Sequence, residues 1–212
     1  MSYTLLAKKL LLEKERFIDS KKIKAYCAVL KLNYYSAIGY LLSEGYLVRI
    51  LRGIFYIKTI EERKTAVSSV TYLEAIKKAF EIKGINHWYF GLESALKLNN
   101  LTHETFLVDY VISDKFRNHR PITILGHSVR FISVKIKKFG FGIKKGDIPY
   151  SDTERTVLDM IYLFKQKGTP DERINDLMAD YLDKCGRKKT EGYLKHYPKT
   201  MAKFIQEYHE RK

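Results

Sequence analysis

The sequence predicts an α+β fold. A helix–turn–helix unit closed by a hairpin comes first, then a mixed α/β domain with a small sheet, then a helical C-terminal tail. Three observations carry this. Residues 17–58 run as a strand stub, a helix, a short turn, a second helix and a basic hairpin; strand-like runs recur between Trp88 and Lys137; and the chain from about Asp171 reads as helix broken near Gly186 and Pro198. The boundaries expected are 1–60 for the first domain and 61–212 for the second, the tail starting at about residue 171.

Composition suits two small cores. At 212 residues, 45% hydrophobic and 30% charged, the chain is of the globular class. Its formal net charge of +15 favours an anionic partner, and nucleic acid is the commonest one. Residues 1–58 hold 11 Lys+Arg against 4 Asp+Glu, so +7 of the +15 sits in about a quarter of the chain. A lysine-rich surface alone could give the same total. Cys27 and Cys185 cannot build a disulfide framework, and Cys27 reads as a reduced core thiol. No apolar run reaches the length of a membrane span, and the start MSYTLLAKKLLLEKER lacks a cleavage site, so no membrane association and a cytoplasmic location are expected.

The first element is an amphipathic helix built on Leu5, Leu6, Leu10 and Leu11. Phe17 and Ile18 lead to Asp19 and Ser20, either of which can cap a second helix with Ile23, Tyr26, Cys27 and Leu30 on its buried stripe. Lys21, Lys22 and Lys24 crowd the start of that helix, where its dipole disfavours cations; a bound phosphate would relieve the conflict. Lys31, Leu32 and Asn33 form the turn, Asn33 caps the third helix, and Gly45 ends it. With Tyr34, Ile38 and Leu41 facing inward, Tyr35, Ser36, Gly39, Tyr40 and Ser43 face outward. Hydroxyls there can meet phosphates or base edges, and Gly39 lets a backbone approach closely. Arginine and asparagine are missing from that face, so shape and backbone contacts should outweigh direct base readout. Two strands, 46–50 and 54–58, then flank Leu51-Arg52-Gly53, with Arg49 and Arg52 beside the tip. This order is that of a winged helix-turn-helix, and its expected DNA-binding set is Lys21, Lys24, Lys31, Asn33, Tyr35, Ser36, Gly39, Tyr40, Ser43, Arg49 and Arg52.

Further on, residues 60–64 read as a charged connector and 70–83 as a helix closed by Gly84. Residues 88–96 read as a strand entering a helix. Strands are expected at 106–113, 122–125 and 128–137, the last two joined at Gly126-His127. Ser151 and Glu154 suggest a capping box opening a helix through Leu163, and the tail 195–212 should pack on the second domain through Phe204, Ile205 and Tyr208.

Glu93, Glu154, Arg155 and Asp159 could be weighed as an acidic site. Simpler roles cover them: Glu154 closes the capping box, Arg155 and Asp159 pair at i,i+4, and Glu93 suits the helix dipole. The six histidines show no ligand spacing. No catalytic residue, metal or cofactor is therefore expected. The basic loop 115–121 with Phe116 could touch a nucleic-acid backbone or simply be solvated.

The run Ala37 to Phe55 resembles the N-terminal domain of AbiEi-type antitoxins, a family that ends its winged helix with a G-x-L-x-R-x-x-R-G-x-[FY] pattern, similar to Gly45-Tyr46-Leu47-Val48-Arg49-Ile50-Leu51-Arg52-Gly53-Ile54-Phe55. Tyr89 to Leu98 and Asp152 to Asp159 resemble that family's [YF]-x-G-x-E-S-A-L-x-L and D-x-E-[RK]-T-[VL]-L-D pieces. Together the resemblance spans roughly residues 17–165. It implies a DNA-binding regulator, the autorepressing antitoxin of an AbiE-like type IV toxin–antitoxin system. The implied partners are double-stranded DNA bearing inverted repeats, a second copy of the chain on that DNA, and a nucleotidyltransferase-type toxin countered without stable binding. Two other functions fit the residues: a nuclease-like enzyme that positions its substrate with the winged domain, and a protein-docking winged module.

Overall fold

A computed structural model describes residues 3–210. They form a mixed α/β protein with two small sheets. The chain divides into two compact units: residues up to Asn86 with Ile122–Ser128, and His87–Pro121 with the residues from Val129 on.

In the first unit, α1 (Tyr3–Leu11) buries Leu6, Ala7 and Leu10. Strand β1 (Phe17–Asp19) ends where the Asp19 carboxylate accepts from the Lys22 backbone N at 2.8 Å, so Asp19 rather than Ser20 caps α2 (Ser20–Val29). Ile23 and Cys27, four residues apart, face the core. Lys31 takes a positive φ of 53° in the turn. Asn33 then accepts from the Ser36 backbone N at 3.0 Å and starts α3 (Tyr34–Ser43), which buries Ala37, Ile38 and Leu41. Gly45, at φ +69°, reverses the chain into β2 (Leu47–Leu51). A two-residue turn leads to β3 (Ile54–Ile57), and the antiparallel sheet runs β1-β3-β2.

The expected boundary at residue 60 falls inside this unit. The segment read as a connector is a helix, α4 (Ile60–Thr65), and α5 (Tyr72–Lys83) lies on β1, β2 and β3 through a face made of Ala75, Ile76, Ala79 and Phe80. Thr59 and Glu62 form a reciprocal capping box on α4, as Thr71 and Glu74 do on α5. Glu62 is only 6% exposed. One carboxylate oxygen accepts from the Thr59 N at 2.7 Å; the other accepts from the Tyr56 hydroxyl at 2.7 Å and the Ser69 N at 2.5 Å. Although burial raises its pKa, those donors outweigh burial and hold the carboxyl at about 2.

The second unit begins with β4 (Trp88–Phe90) and α6 (Leu92–Leu98), followed by β5 (Asp109–Ser113). Strand β6 (Ile122–Ile124), which belongs to the first unit, and β7 (His127–Ser133) flank Leu125-Gly126, so the hairpin turn sits one residue earlier than expected, with both turn residues at positive φ. The last expected strand stops at Ser133, and residues 136–139 form a 3₁₀ turn. The short strands β8 (Ile143–Lys144) and β9 (Tyr150–Ser151) complete a sheet of order β6-β7-β5-β4-β9-β8. Four helices follow: α7 (Thr153–Gln166), α8 (Asp171–Leu182), α9 (Arg187–Leu194) and α10 (Lys199–Glu210). Their buried residues, among them Leu158, Ile161, Ile174, Met178, Phe204 and Ile205, build one core with Tyr89, Leu92 and Leu96. Trp88, 9% exposed, stands edge-on to Phe90.

The expected capping box at the start of α7 does not form. Asp152 caps the helix, accepting from the Arg155 N at 3.0 Å, while Ser151 pairs in β9 and its hydroxyl meets that of Thr156. The last two residues of the tail expected over 195–212 lie outside the described residues. Among the described residues, no helix is long and apolar enough to cross a membrane.

Candidate nucleic-acid interface

The local chemistry that caps α2 and α3 also fixes which side chains the first unit turns outward. On α3, Tyr35, Ser36, Gly39 and Ser43 are exposed, Tyr35 at 79%. Positions 35, 39 and 43 follow the four-residue step of one helix face. A Cβ on Gly39 would meet nothing within 4 Å, so this stripe is bare at its centre. The Ser36 hydroxyl turns back to the Asn33 amide oxygen at 3.3 Å, and that of Ser43 donates to the Tyr40 carbonyl at 3.0 Å. Both serines keep lone pairs and can accept a further bond.

Tyr40 departs from its expected outward position. Its ring is half-buried and lies between those of Tyr3, 5.3 Å away, and Tyr46, 6.2 Å away. At 40 the helical period falls between the two faces, and the aromatic stack draws the side chain inward. Tyr35 makes an edge contact with Tyr34 at 5.3 Å.

The cations sort into two kinds. Lys22 is neutralised by Glu13 at 2.5 Å, and the Tyr26 hydroxyl donates to the same carboxylate. Those donors hold the Glu13 carboxyl below the usual range, and Glu13 raises the Lys22 ammonium in turn. Lys21, Lys24, Lys31, Arg49 and Arg52 are exposed. Lys24 lies over the Tyr34 ring at 5.1 Å, and the Arg49 guanidinium lies 5.7 Å from the Phe55 ring.

The hairpin tip is tied down. Gly53, at φ +80°, offers its carbonyl to both the backbone N of Ser20 at 2.8 Å and the Ser20 hydroxyl at 3.1 Å. A Cβ at Gly53 would stand 3.0 Å from the Ser20 Oγ. The two bonds hold the Arg52 turn beside the start of α2, where Lys21 lies. Lys31 sits at the other end of α2, about 15 Å away along a ten-residue helix. The exposed cations therefore spread over α2 (Lys21, Lys24), the turn after it (Lys31) and the hairpin (Arg49, Arg52). Ser20, expected only as a possible cap of this helix, instead anchors the hairpin turn across 33 residues of sequence.

The second unit disposes of its expected polar residues differently. In the 115–121 loop, Phe116 packs edge-on against Phe131 at 4.9 Å and Asn118 accepts from the Phe131 N, leaving Lys115, Arg117, His119 and Arg120 outermost. Glu154 accepts from the Gly186 N at 3.1 Å and pairs with Lys189 at 2.7 Å. Glu93 is half-buried near the start of α6, and burial raises its carboxyl. Among the described residues, no group of three or more His, Cys, Asp or Glu could hold a metal ion.

The chain is similar in structure to the RV2827C protein from Mycobacterium tuberculosis, whose crystal structure aligns with a TM-score of 0.62 at 12% sequence identity, covering 97% of this chain and 75% of that one. At that identity the likeness bears on the fold. No family model matches the sequence, and no curated protein is similar to it.

Proposed function

We propose that this chain is a DNA-binding transcriptional regulator whose first unit works as a winged helix-turn-helix, with α3 laid in the major groove of an operator. The observation that carries the reading is the exposed stripe Tyr35, Ser36, Gly39 and Ser43 on a helix capped by Asn33, with Lys21, Lys24, Lys31, Arg49 and Arg52 exposed on the elements around it. Charged groups on those elements would meet the phosphates, while the stripe meets base edges. In the fuller form suggested by the antitoxin-like motifs, the regulator is cytoplasmic, represses its own operon as a pair of chains on inverted repeats, and counteracts a nucleotidyltransferase-type toxin without forming a stable complex. The second unit then carries no catalytic residue, metal or cofactor.

The test is fluorescence anisotropy on a duplex from the region upstream of the chain's own gene, measured across a salt series. Five phosphate contacts per module give log affinity against log salt a slope of about −4.5. Replacing Arg49 and Arg52 by Ala should flatten the slope by nearly two and weaken all sequences alike. Tyr35→Ala should instead narrow the preference for the operator over unrelated DNA by about 1–3 kcal/mol. An arginine double variant with unchanged affinity and slope would exclude this surface as the interface.

A further inference from the structure

The second unit holds a cleft of about 380 Å³, within the size range of small-molecule sites. Its floor is a closed polar network. Arg155 is 1% exposed, and its guanidinium lies 4.4 Å from the ring centres of both Tyr89 and Phe141. One end donates to the Tyr89 hydroxyl at 2.5 Å, another to the Phe141 carbonyl, and Nε faces Asp159 at 3.4 Å. The second Asp159 oxygen accepts from the Tyr197 hydroxyl at 2.6 Å. Asp159, the single carboxylate of the cleft, is thus occupied by the buried arginine beneath it.

The rim has no such balance. Lys135 and Lys137 are exposed, and half-buried Lys138 donates to the His196 carbonyl while lying 4.9 Å over the Tyr197 ring. Lining the cleft are four cations against one carboxylate. With Arg155 paired to Asp159, the lining keeps a net excess of three positive charges, all on lysines. Burial lowers the Lys138 ammonium, and this outweighs the opposing pull of the nearby Asp159 carboxylate. Between rim and floor the lining is largely aromatic and aliphatic. The Tyr162 and Tyr197 rings stand 6.0 Å apart and 69° to one another, with Ile132 and Val134 nearby and the Gln166 amide donating to the Tyr162 hydroxyl at 2.7 Å.

We infer that this cleft binds a mononucleotide, its phosphate held by Lys135, Lys137 and Lys138 and its base against the tyrosine wall. A cationic ligand is repelled by the rim. A simple inorganic anion would leave the aromatic wall unused; a planar base on a phosphate-bearing sugar uses both the wall and the rim charges. The argument uses only the second unit, so it stands apart from the proposed DNA contacts.

Isothermal titration of the full chain with AMP tests it, with adenosine and inorganic phosphate as separate probes. AMP should bind with a Kd below millimolar, and each half-ligand at least about tenfold more weakly, a difference of about 1.4 kcal/mol. The Lys135→Glu/Lys137→Glu variant, altered only at exposed positions, should keep the wild-type melting temperature and lose AMP affinity by about tenfold or more. Lys21→Glu/Arg52→Glu should leave AMP affinity unchanged while abolishing any DNA binding. Absence of AMP binding at millimolar concentration overturns the proposal. So does binding matched by phosphate alone, or binding indifferent to the rim charge reversal.

Discussion

Glu62 ties three segments of the first unit together, and Glu62→Gln tests how much that tie contributes. The carboxylate serves the Thr59 N on one oxygen and the Tyr56 hydroxyl and Ser69 N on the other. Glutamine keeps the shape but replaces one oxygen with a donor, so at least one N–H or O–H loses its acceptor in a site 6% exposed. Stranding a buried donor costs about 1–3 kcal/mol, and hydrogen bonds to a charged group are the stronger kind. Linkage gives a second route. The carboxyl falls from 4.5 to about 2 on folding, which at about 1.4 kcal/mol per pH unit is about 3 kcal/mol. The two routes agree. A depressed carboxyl stabilises the fold above its unfolded pKa and loses that contribution as pH falls through the folded one. The gap between wild type and Glu62→Gln should therefore be about 3 kcal/mol at pH 7 and shrink between about pH 5 and 2. For a chain of this length it corresponds to about 6–12 °C in Tm, read by circular dichroism. A variant within about 1 kcal/mol of wild type at pH 7, or a gap that does not close in acid, would refute the reasoning.

Three further outcomes follow from the same kind of argument. Arg155→Leu leaves the Asp159 carboxylate facing a desolvated pocket and should cost about 3 kcal/mol by urea titration; adding Asp159→Leu should recover part of the loss. Gly142 sits at φ +60°, and a Cβ there would lie 2.7 Å from the Arg155 Cβ, so Gly142→Ala should lower Tm by an amount reflecting at least about 1–2 kcal/mol. Asn33→Ala removes the acceptor for the Ser36 N and should cost about 1 kcal/mol, visible as a lower denaturant midpoint with an unchanged slope.

Local chemistry made much of the first unit legible. Asn33 three residues before Ser36, the apolar spacing through Ile38 and Leu41, and the glycines at 45 and 53 are short-range signals, and the backbone follows them. What escaped was set at long range. Tyr40 turns inward because Tyr3 and Tyr46 lie on either side, which no periodicity in α3 encodes. Arg155 is read from sequence as half of an i,i+4 pair; its enclosure depends on Tyr89, 66 residues earlier. A third case lay in between. Thr59-x-x-Glu62 is a legible capping pattern, yet a run of charge over 60–64 disguised a helix whose glutamate is buried. Residue 60, the expected boundary, lies inside the first compact unit, where the apolar face of α5 packs on the first sheet.

Trp88 is the chain's sole indole, and it lies nearly enclosed in β4. Ultraviolet emission excited near the red edge therefore arises from the second unit alone, whatever happens to the helices at the amino end. A fluorophore attached by replacing exposed Lys64 with cysteine would give the first unit its own optical reporter, and the two colours would then time the loosening of each half separately.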